Sequence, residues 1–405
     1  MQKIILHIDF DSFFASCEQQ DNPLYRNRPL GVTATHGRTC IIAASREAKK
    51  MGIKSPSRTV DAKKICPSII FVPAHFVRYW EISQKFIKIC DEFSPIVEIF
   101  SIDEVFMDVA LTAKLFGGVE NLIKKLKQRL REEIGEYITA SVGISHNKLL
   151  AKLASGMRKP DGIFEITKEN RQLVYQEAKL TDICGIGSRI DQRLNNLGIY
   201  NLLQLQKASL SNLIAEFGQV EGSFLKNVGL GFDTAEVIPY AKAQEVKSVG
   251  RQYCLPHNEY DKRKVLQNVY ELCEEVAIKL RKISKKARVV GIYLGGSENV
   301  AGRQTLGRYI NTGKDIYEGC ISLLSVPAYV RRIGIWTGGL KNADSVPFPL
   351  FENEQREQKI AGIIDKINEK FGDHTIRNGF LLYADKLTTV PNGYAASVSH
   401  EFGRK

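Results

Sequence analysis

The chain has 405 residues, 43% hydrophobic and 25% charged, a globular composition with room for roughly two to four domains. Lys and Arg outnumber Asp and Glu by 57 to 45, and the formal charge of +12 points to a polyanionic partner as readily as to a merely basic protein. Eight scattered cysteines without a CxxC pair give no zinc or dithiol signature, and no apolar run reaches the length of a membrane span. Asp9 comes too early for a secretory leader, so a reducing cytoplasm is expected and a membrane partner is not.

From the N-terminus, residues 4–8 read as a short apolar strand. Asp9-Phe10-Asp11-Ser12-Phe13-Phe14 follows at once, and Asp11 or Ser12 can cap a helix reaching about residue 20. Asp9, at the strand's end, is by itself as good a loop acid as a ligand. Residues 21–74 look like a small insertion. In it, strand-like 30–33 and 40–43 are joined by a polar turn at 35–38, and a helix at 45–51 carries Arg46, Lys49 and Lys50 on a solvated or phosphate-facing surface. Residues 75–93 are amphipathic through Tyr79, Ile82, Phe86, Ile89 and Phe93, a core stripe.

Two Val-, Ile- and Phe-rich runs, 96–100 and 105–109, then enclose the adjacent acids Asp103 and Glu104. Two carboxylates about 4 Å apart repel by ~4 kcal/mol at an effective dielectric of 20, and a cation between them reverses the sign. Hard oxygen donors select Mg²⁺ or Mn²⁺. Alone, the pair reads more readily as a solvated turn. A helix at 119–134 and a strand at 138–144 complete the series strand, helix, strand, strand, helix, strand, the ferredoxin-like pattern. That fold sets its first and third strands side by side, bringing Asp9 next to Asp103 and Glu104. Three carboxylates at one sheet edge are hard to explain without a metal.

A helix at 145–156, a turn through Lys159-Pro160-Asp161-Gly162 and a strand at 163–166 come next; Lys159 can reach the same edge or solvent. Residues 167–233 read as mostly helical. Within them Gly185-Ile186-Gly187-Ser188 opens a helix, with another over 203–213. Such a turn offers backbone N–H groups to an anion and resembles the helix-hairpin-helix motif, which holds a DNA phosphate without reading sequence. After a linker at 234–244, strands at 246–254, 287–294, 303–310 and 329–337 and helices at 261–284 and 314–324 make a βαββαβ unit. Its cations Lys247, Arg251, Arg303, Arg308, Arg331 and Arg332 lie on strand segments, where they need an explanation, and alternation sends Arg331 and Arg332 to opposite faces, so not all six can meet one partner. Val346-Pro347-Phe348-Pro349-Leu350-Phe351 reads as an exposed apolar peptide, 357–371 as an amphipathic helix, and the end from 383 as loose.

Asp9-Phe10-Asp11-Ser12-Phe13-Phe14-Ala15, Ser101-Ile102-Asp103-Glu104, and Gly143-Ile144-Ser145-His146-Asn147-Lys148-Leu149-Leu150-Ala151-Lys152 with Lys159-Pro160-Asp161-Gly162 together resemble a Y-family DNA polymerase over roughly residues 1–375. The group containing the bacterial DNA polymerase IV and UmuC types is nearest. The resemblance implies an α+β right hand: a ferredoxin-like palm at 1–10 and 75–166, fingers at 11–74, a helix-hairpin-helix thumb at 167–233, the linker, a little finger at 245–340 and a C-terminal extension at 341–405.

It implies a template-directed, low-fidelity polymerase for translesion synthesis, releasing pyrophosphate and without proofreading. Asp9, Asp103, Glu104 and the Phe10 carbonyl would hold two Mg²⁺, with Mn²⁺ as a substitute. Phe14 would be the steric gate against a ribose 2′-hydroxyl, with Phe13 beside it, and Arg46, Lys49 and Lys159 would meet the triphosphate. Gly185, Gly187, Ser188 and the six cations of the second unit would meet DNA. Partners would be primed template DNA, dNTPs and, through Pro347 to Phe351, a sliding clamp; that peptide keeps Leu350-Phe351 but lacks the glutamine of its relatives. The protein would act as a monomer at the nucleoid. The fingers depart from the pattern: Arg46 stands where many relatives have Tyr and Lys49 where they have Arg, a point charge in place of a fork. Pro56 and Arg58 replace small residues near the template base. The competing readings are a non-catalytic DNA-binding accessory, whose family representatives have lost the acids, and a nucleotide cyclase.

Overall fold

The computed structural model describes residues 3–34, 40–242, 245–347, 352–372, 375–382 and 384. The chain divides into two compact units, one spanning Met1–Gln244 and one Glu245–Asn392. The first begins with β1 (Ile5–Phe10), α1 (Phe13–Asp21), β2 (Leu30–Thr33), β3 (Cys40–Ala44), α2 (Arg46–Lys50), β4 (Ser57–Arg58), α3 (Thr59–Ile65) and β5 (Ile70–Pro73). It continues with α4 (Phe76–Phe93), β6 (Val97–Ile99), β7 (Glu104–Asp108), α5 (Val119–Glu133), β8 (Ala140–Ser145), α6 (Lys148–Met157) and β9 (Ile163–Glu165).

Five of these strands form one sheet in the order β6-β7-β1-β8-β9. Its first four are the ferredoxin-like set, and β9 adds in parallel beside β8. The central strand is buried along nearly its whole length because both faces are covered. Leu6, Ile8 and Phe10 join the stripes of α4 (Tyr79, Ile82, Phe86, Ile89, Phe93) and α5 (Leu122, Ile123, Leu126, Leu130) in one core. The alternate residues, Ile5, His7 and Asp9, share the other face, where Ile5 packs with Phe106 and with Ala151 of α6. Helix α6 lies directly on β8 because residue 143 is glycine: a Cβ there would stand 2.0 Å from the Ala151 carbonyl oxygen and 2.3 Å from the Ser155 nitrogen. The helix starts at Lys148, later than its hydrophobic pattern suggests, because Ser145 still belongs to β8 and the Asn147 side chain caps the Leu150 N–H at 2.9 Å.

The remaining strands form a smaller sheet, β4-β3-β2-β5; the polar turn at 35–38 lies outside the described residues. Helices α7 (Arg171–Glu177), α8 (Ser188–Asn196), α9 (Leu202–Lys207), α10 (Leu210–Phe217) and α11 (Gln219–Leu230) follow. The single helix expected over 203–213 is two. The chain breaks at Ala208 and Ser209, and Lys226 Nζ donates to the freed carbonyls of Gln206 and Ala208, each at 2.8 Å.

The second unit comprises β10 (Ser248–Glu259), α12 (Lys262–Lys282), β11 (Lys285–Gly296), β12 (Asn299–Ile310), α13 (Gly313–Ile321), β13 (Val330–Gly338), β14 (Lys341–Asn342) and α14 (Glu352–Phe371). Its sheet runs β10-β13-β11-β12, with α12 and α13 over one face. Helix α14 begins at Glu352, before the expected 357, and is tied to α12: Arg281 donates from Nε and Nη2 to Asp365 at 2.6 and 2.8 Å. Beyond it, Asn378 reaches the Tyr270 hydroxyl at 2.9 Å, and Arg377 reaches the buried Glu271 at 3.1 Å.

Candidate active site

Register sets the acids. Across the antiparallel pair β1–β7, Asp9 stands opposite Glu104, and on its other side it stands opposite Ser141 of β8. His7, two residues earlier and on the same face, lies opposite Phe106 and Gly143. Ligand atoms of His7, Asp9 and Glu104 all fall within 4.8 Å of one another. Asp103 precedes β7; its carbonyl accepts the Phe10 N–H at 3.0 Å, and its carboxylate accepts from the Ser101 hydroxyl. The Phe10 backbone is thereby fixed beside the acids.

Burial drives the carboxyls of Asp9 and Asp103 above their ordinary range; for Asp9 the Lys159 ammonium pulls the other way, and for Asp103 the Ser101 hydroxyl does. Burial also works to raise Glu104, but hydrogen bonds from His7 and Lys152 outweigh it and hold that carboxyl at about 2. Lys159 Nζ donates to Asp9 and Lys152 Nζ to Glu104. The imidazole of His7 is fully buried, and burial holds it below its ordinary value. The carboxylates Asp9, Asp103 and Glu104 are hard oxygen donors, crowded and desolvated, which suits a divalent metal ion.

The turn between β1 and α1 positions the next group. Asp11 is buried and accepts from the Thr139 and Ser141 hydroxyls and the Asp161 N–H at 2.6, 2.8 and 2.8 Å. Ser12 follows in the left-handed region at φ 53°, and its hydroxyl accepts from Lys49 Nζ at 2.9 Å. Arg46 Nη2 donates to Thr139, so both expected triphosphate cations of α2 are drawn toward this turn. Phe13 is buried against Phe10, with ring centroids 5.2 Å apart. Phe14 is half-buried and lies flat on Tyr79 at 4.4 Å and 13°. The Tyr79 hydroxyl is in turn held by the buried Glu18.

Gly185 adopts φ +103°, with the Phe224 ring 2.9 Å from where a Cβ would stand, and Gly187 caps α8, whose first residue is Ser188. In the second unit the cations divide. Arg303 and Arg332 are exposed on strands β12 and β13 and Lys247 is exposed before β10, whereas Arg251 pairs with Glu275 of α12 at 2.8 Å and Arg308 with Asp315 at 2.6 Å. Strict alternation does not carry through Arg331: Gly295 pairs with Arg332 and Gly296 with Val330, leaving Arg331 in an irregularity of the ladder. Arg332 Nη2 donates to the Tyr293 hydroxyl at 3.2 Å. Only Pro347 of the 347–351 peptide lies among the described residues.

Sequence reasoning missed His7, and gave Lys152 no role. A lone histidine in an apolar strand reads as core, and its partners Ser155 and Glu104 lie 148 and 97 residues away.

The chain matches the impB/mucB/samB family over residues 8–156, that family's C-terminal domain over 246–350, and the thumb domain of DNA polymerase-iota over 181–233. It is 32% identical to DNA polymerase IV of Pelotomaculum thermopropionicum over 380 residues, covering 92% of this chain and 94% of that one. With DNA polymerase IV of Moorella thermoacetica it shares 35% identity over 389 residues, 93% and 96% of the two chains. Among solved structures, the Y-family DNA polymerase chimera Dbh-Dpo4(243-245)-Dbh superposes with a TM-score of 0.71 at 29% identity, covering 83% of this chain and 98% of its own. An insertion ternary complex of Dbh DNA polymerase gives a TM-score of 0.57 at 28% identity over the same shares. With its acids in register on a ferredoxin-like sheet, the chain belongs to the Y family of DNA polymerases.

Proposed function

We propose that this chain, a DNA-directed DNA polymerase of translesion synthesis, extends a primer at the sheet edge where Asp9, Asp103 and Glu104 meet, with these carboxylates and the Phe10 carbonyl holding two Mg²⁺. When bound, the ions supply charge that activates the primer 3′-hydroxyl and stabilises the leaving pyrophosphate. The chain's own residues bind and orient. Lys159, Lys49 and Arg46 neutralise the triphosphate, Phe13 and Phe14 close the sugar pocket, and the ring of Phe14 collides with a 2′-hydroxyl. Gly185, Gly187 and Ser188 offer backbone N–H groups to a DNA phosphate. Lys247, Arg303 and Arg332 meet the duplex backbone, with Arg251, Arg308 and Arg331 beside them. The palm, fingers, thumb, little finger and extension keep the boundaries assigned above, the protein works as a monomer at the nucleoid, and the 347–351 peptide takes a sliding clamp.

The observation that carries the reading is the pairing of Asp9 with Glu104, with Asp103 bonded to Phe10 alongside. Primer extension with Mg²⁺ and dNTPs tests it. The parent extends; Asp103→Ala and Glu104→Ala do not, while both still bind primed DNA. A parent that binds primed DNA and never extends it, in Mg²⁺ or Mn²⁺, reverts the protein to a non-catalytic accessory.

A further inference from the structure

The buried imidazole of His7 is unexplained by packing alone. It is fully buried in the middle strand beside Phe106, at 4.6 Å between ring centroids, where an apolar side chain would fill the same space without polar atoms to satisfy. Both of its nitrogens are engaged. Nδ1 lies 2.7 Å from the Ser155 hydroxyl, whose oxygen also stands 2.8 Å from the Lys152 carbonyl. A carboxylate only accepts, so Nε2 carries the ring's proton and Nδ1 accepts from the Ser155 hydroxyl, which fixes the ring's orientation. Nε2 is then aimed at Glu104, 2.9 Å from Oε2, with Lys152 Nζ 3.5 Å away and also on Oε2. Among the described residues both protein contacts of the Glu104 carboxylate go to this one oxygen.

We propose that His7 is a positioning residue for the metal site: anchored by Ser155, it grips Glu104 by Oε2 and leaves Oε1 to serve as the ligand. This rests on the two-metal reading above. A divalent ion needs its carboxylates preset, and groups that orient a ligand typically contribute 10–100-fold to metal affinity. His7 touches no substrate in this role; it acts through Glu104.

Mn²⁺ titration of the protein bound to primed DNA and a non-hydrolysable dNTP, read by the free-Mn²⁺ electron paramagnetic resonance signal, tests it. His7→Phe fills the core and removes both nitrogens. It is expected to weaken Mn²⁺ binding by about tenfold, leave DNA affinity by fluorescence anisotropy unchanged, and raise the Mg²⁺ concentration for half-maximal extension with kcat recovered at saturation. His7→Gln, which returns an amide donor toward Glu104, recovers part of the affinity. Ser155→Ala keeps the imidazole but frees it to turn, and weakens Mn²⁺ binding in the same direction, so the proposal stays testable if His7→Phe does not fold. Mn²⁺ affinity equal to the parent's in folded His7→Gln and Ser155→Ala, with only a lowered melting temperature, overturns the proposal. A parent that takes up no Mn²⁺ at all overturns the metal-site reading instead.

Discussion

Glu104 and its neighbours make opposite demands on pH. The Glu104 carboxyl, at about 2 against an ordinary 4.5, is held down in the folded state. It therefore contributes stability above the ordinary value, and that contribution is lost as pH falls from 4.5 toward 2. In the metal-free protein the melting temperature of the parent should drop through that window more steeply than that of Glu104→Gln, which has no such proton to take up. Asp9 and Asp103 are raised, so at the proposed site cation binding competes with their protonation as the pH falls. The Mg²⁺ needed for half-maximal extension should rise as the pH is lowered, and a flat profile would mean these carboxyls are already ionised. The proposed steric gate gives a second residue-scale outcome. Phe14→Ala leaves Tyr79 in place and removes the ring proposed to exclude a 2′-hydroxyl; a clash of ~1–3 kcal/mol corresponds to about 5- to 150-fold. Ribonucleotide incorporation relative to deoxynucleotide should rise by that factor in single-nucleotide kinetics.

At the scale of elements, much of the order was legible because periodicity is local. The stripe Tyr79, Ile82, Phe86, Ile89, Phe93 and the β-rich runs around Asp103 and Glu104 each declare themselves within a few residues. Since strand order follows from the ferredoxin pattern, the pairing of Asp9 with Glu104 could be anticipated. What was not legible depends on distant partners: the grip of His7 on Glu104, the irregularity at Arg331, and the fastening of α14 to α12. That last contact has a measurable cost. Arg281 reaches Asp365 twice and the Asn311 carbonyl once, at 2.6 Å. Arg281→Ala should destabilise the second unit by about 2–3 kcal/mol, discounted from a fully buried pair because both side chains keep some solvent. Thermal or urea unfolding reads it, and an unchanged midpoint would mean that α14 contributes nothing to the fold.

For the molecule as a whole, salt dependence tells whether the charge of +12 meets a polyanion. A protein neutralising about five duplex phosphates loses affinity with a log–log slope near −4.5. Replacing Arg303 and Arg332 together by alanine should reduce the slope by about 1.8 if both meet phosphates. Arg251→Ala, already paired with Glu275, should change it little. Anisotropy of labelled primed DNA across a salt series separates the two cases.

The glycine at 143 shows how far the active site extends beyond its acids. A single added methyl would collide with the backbone of α6, which carries both Lys152 and Ser155. A survey of variants that scored only carboxylates and lysines would pass Gly143→Ala as silent. The enzyme it encodes should nonetheless fail at extension with every ligand still present. Loss of activity by inheritance can thus strike at a position that bears no chemistry at all.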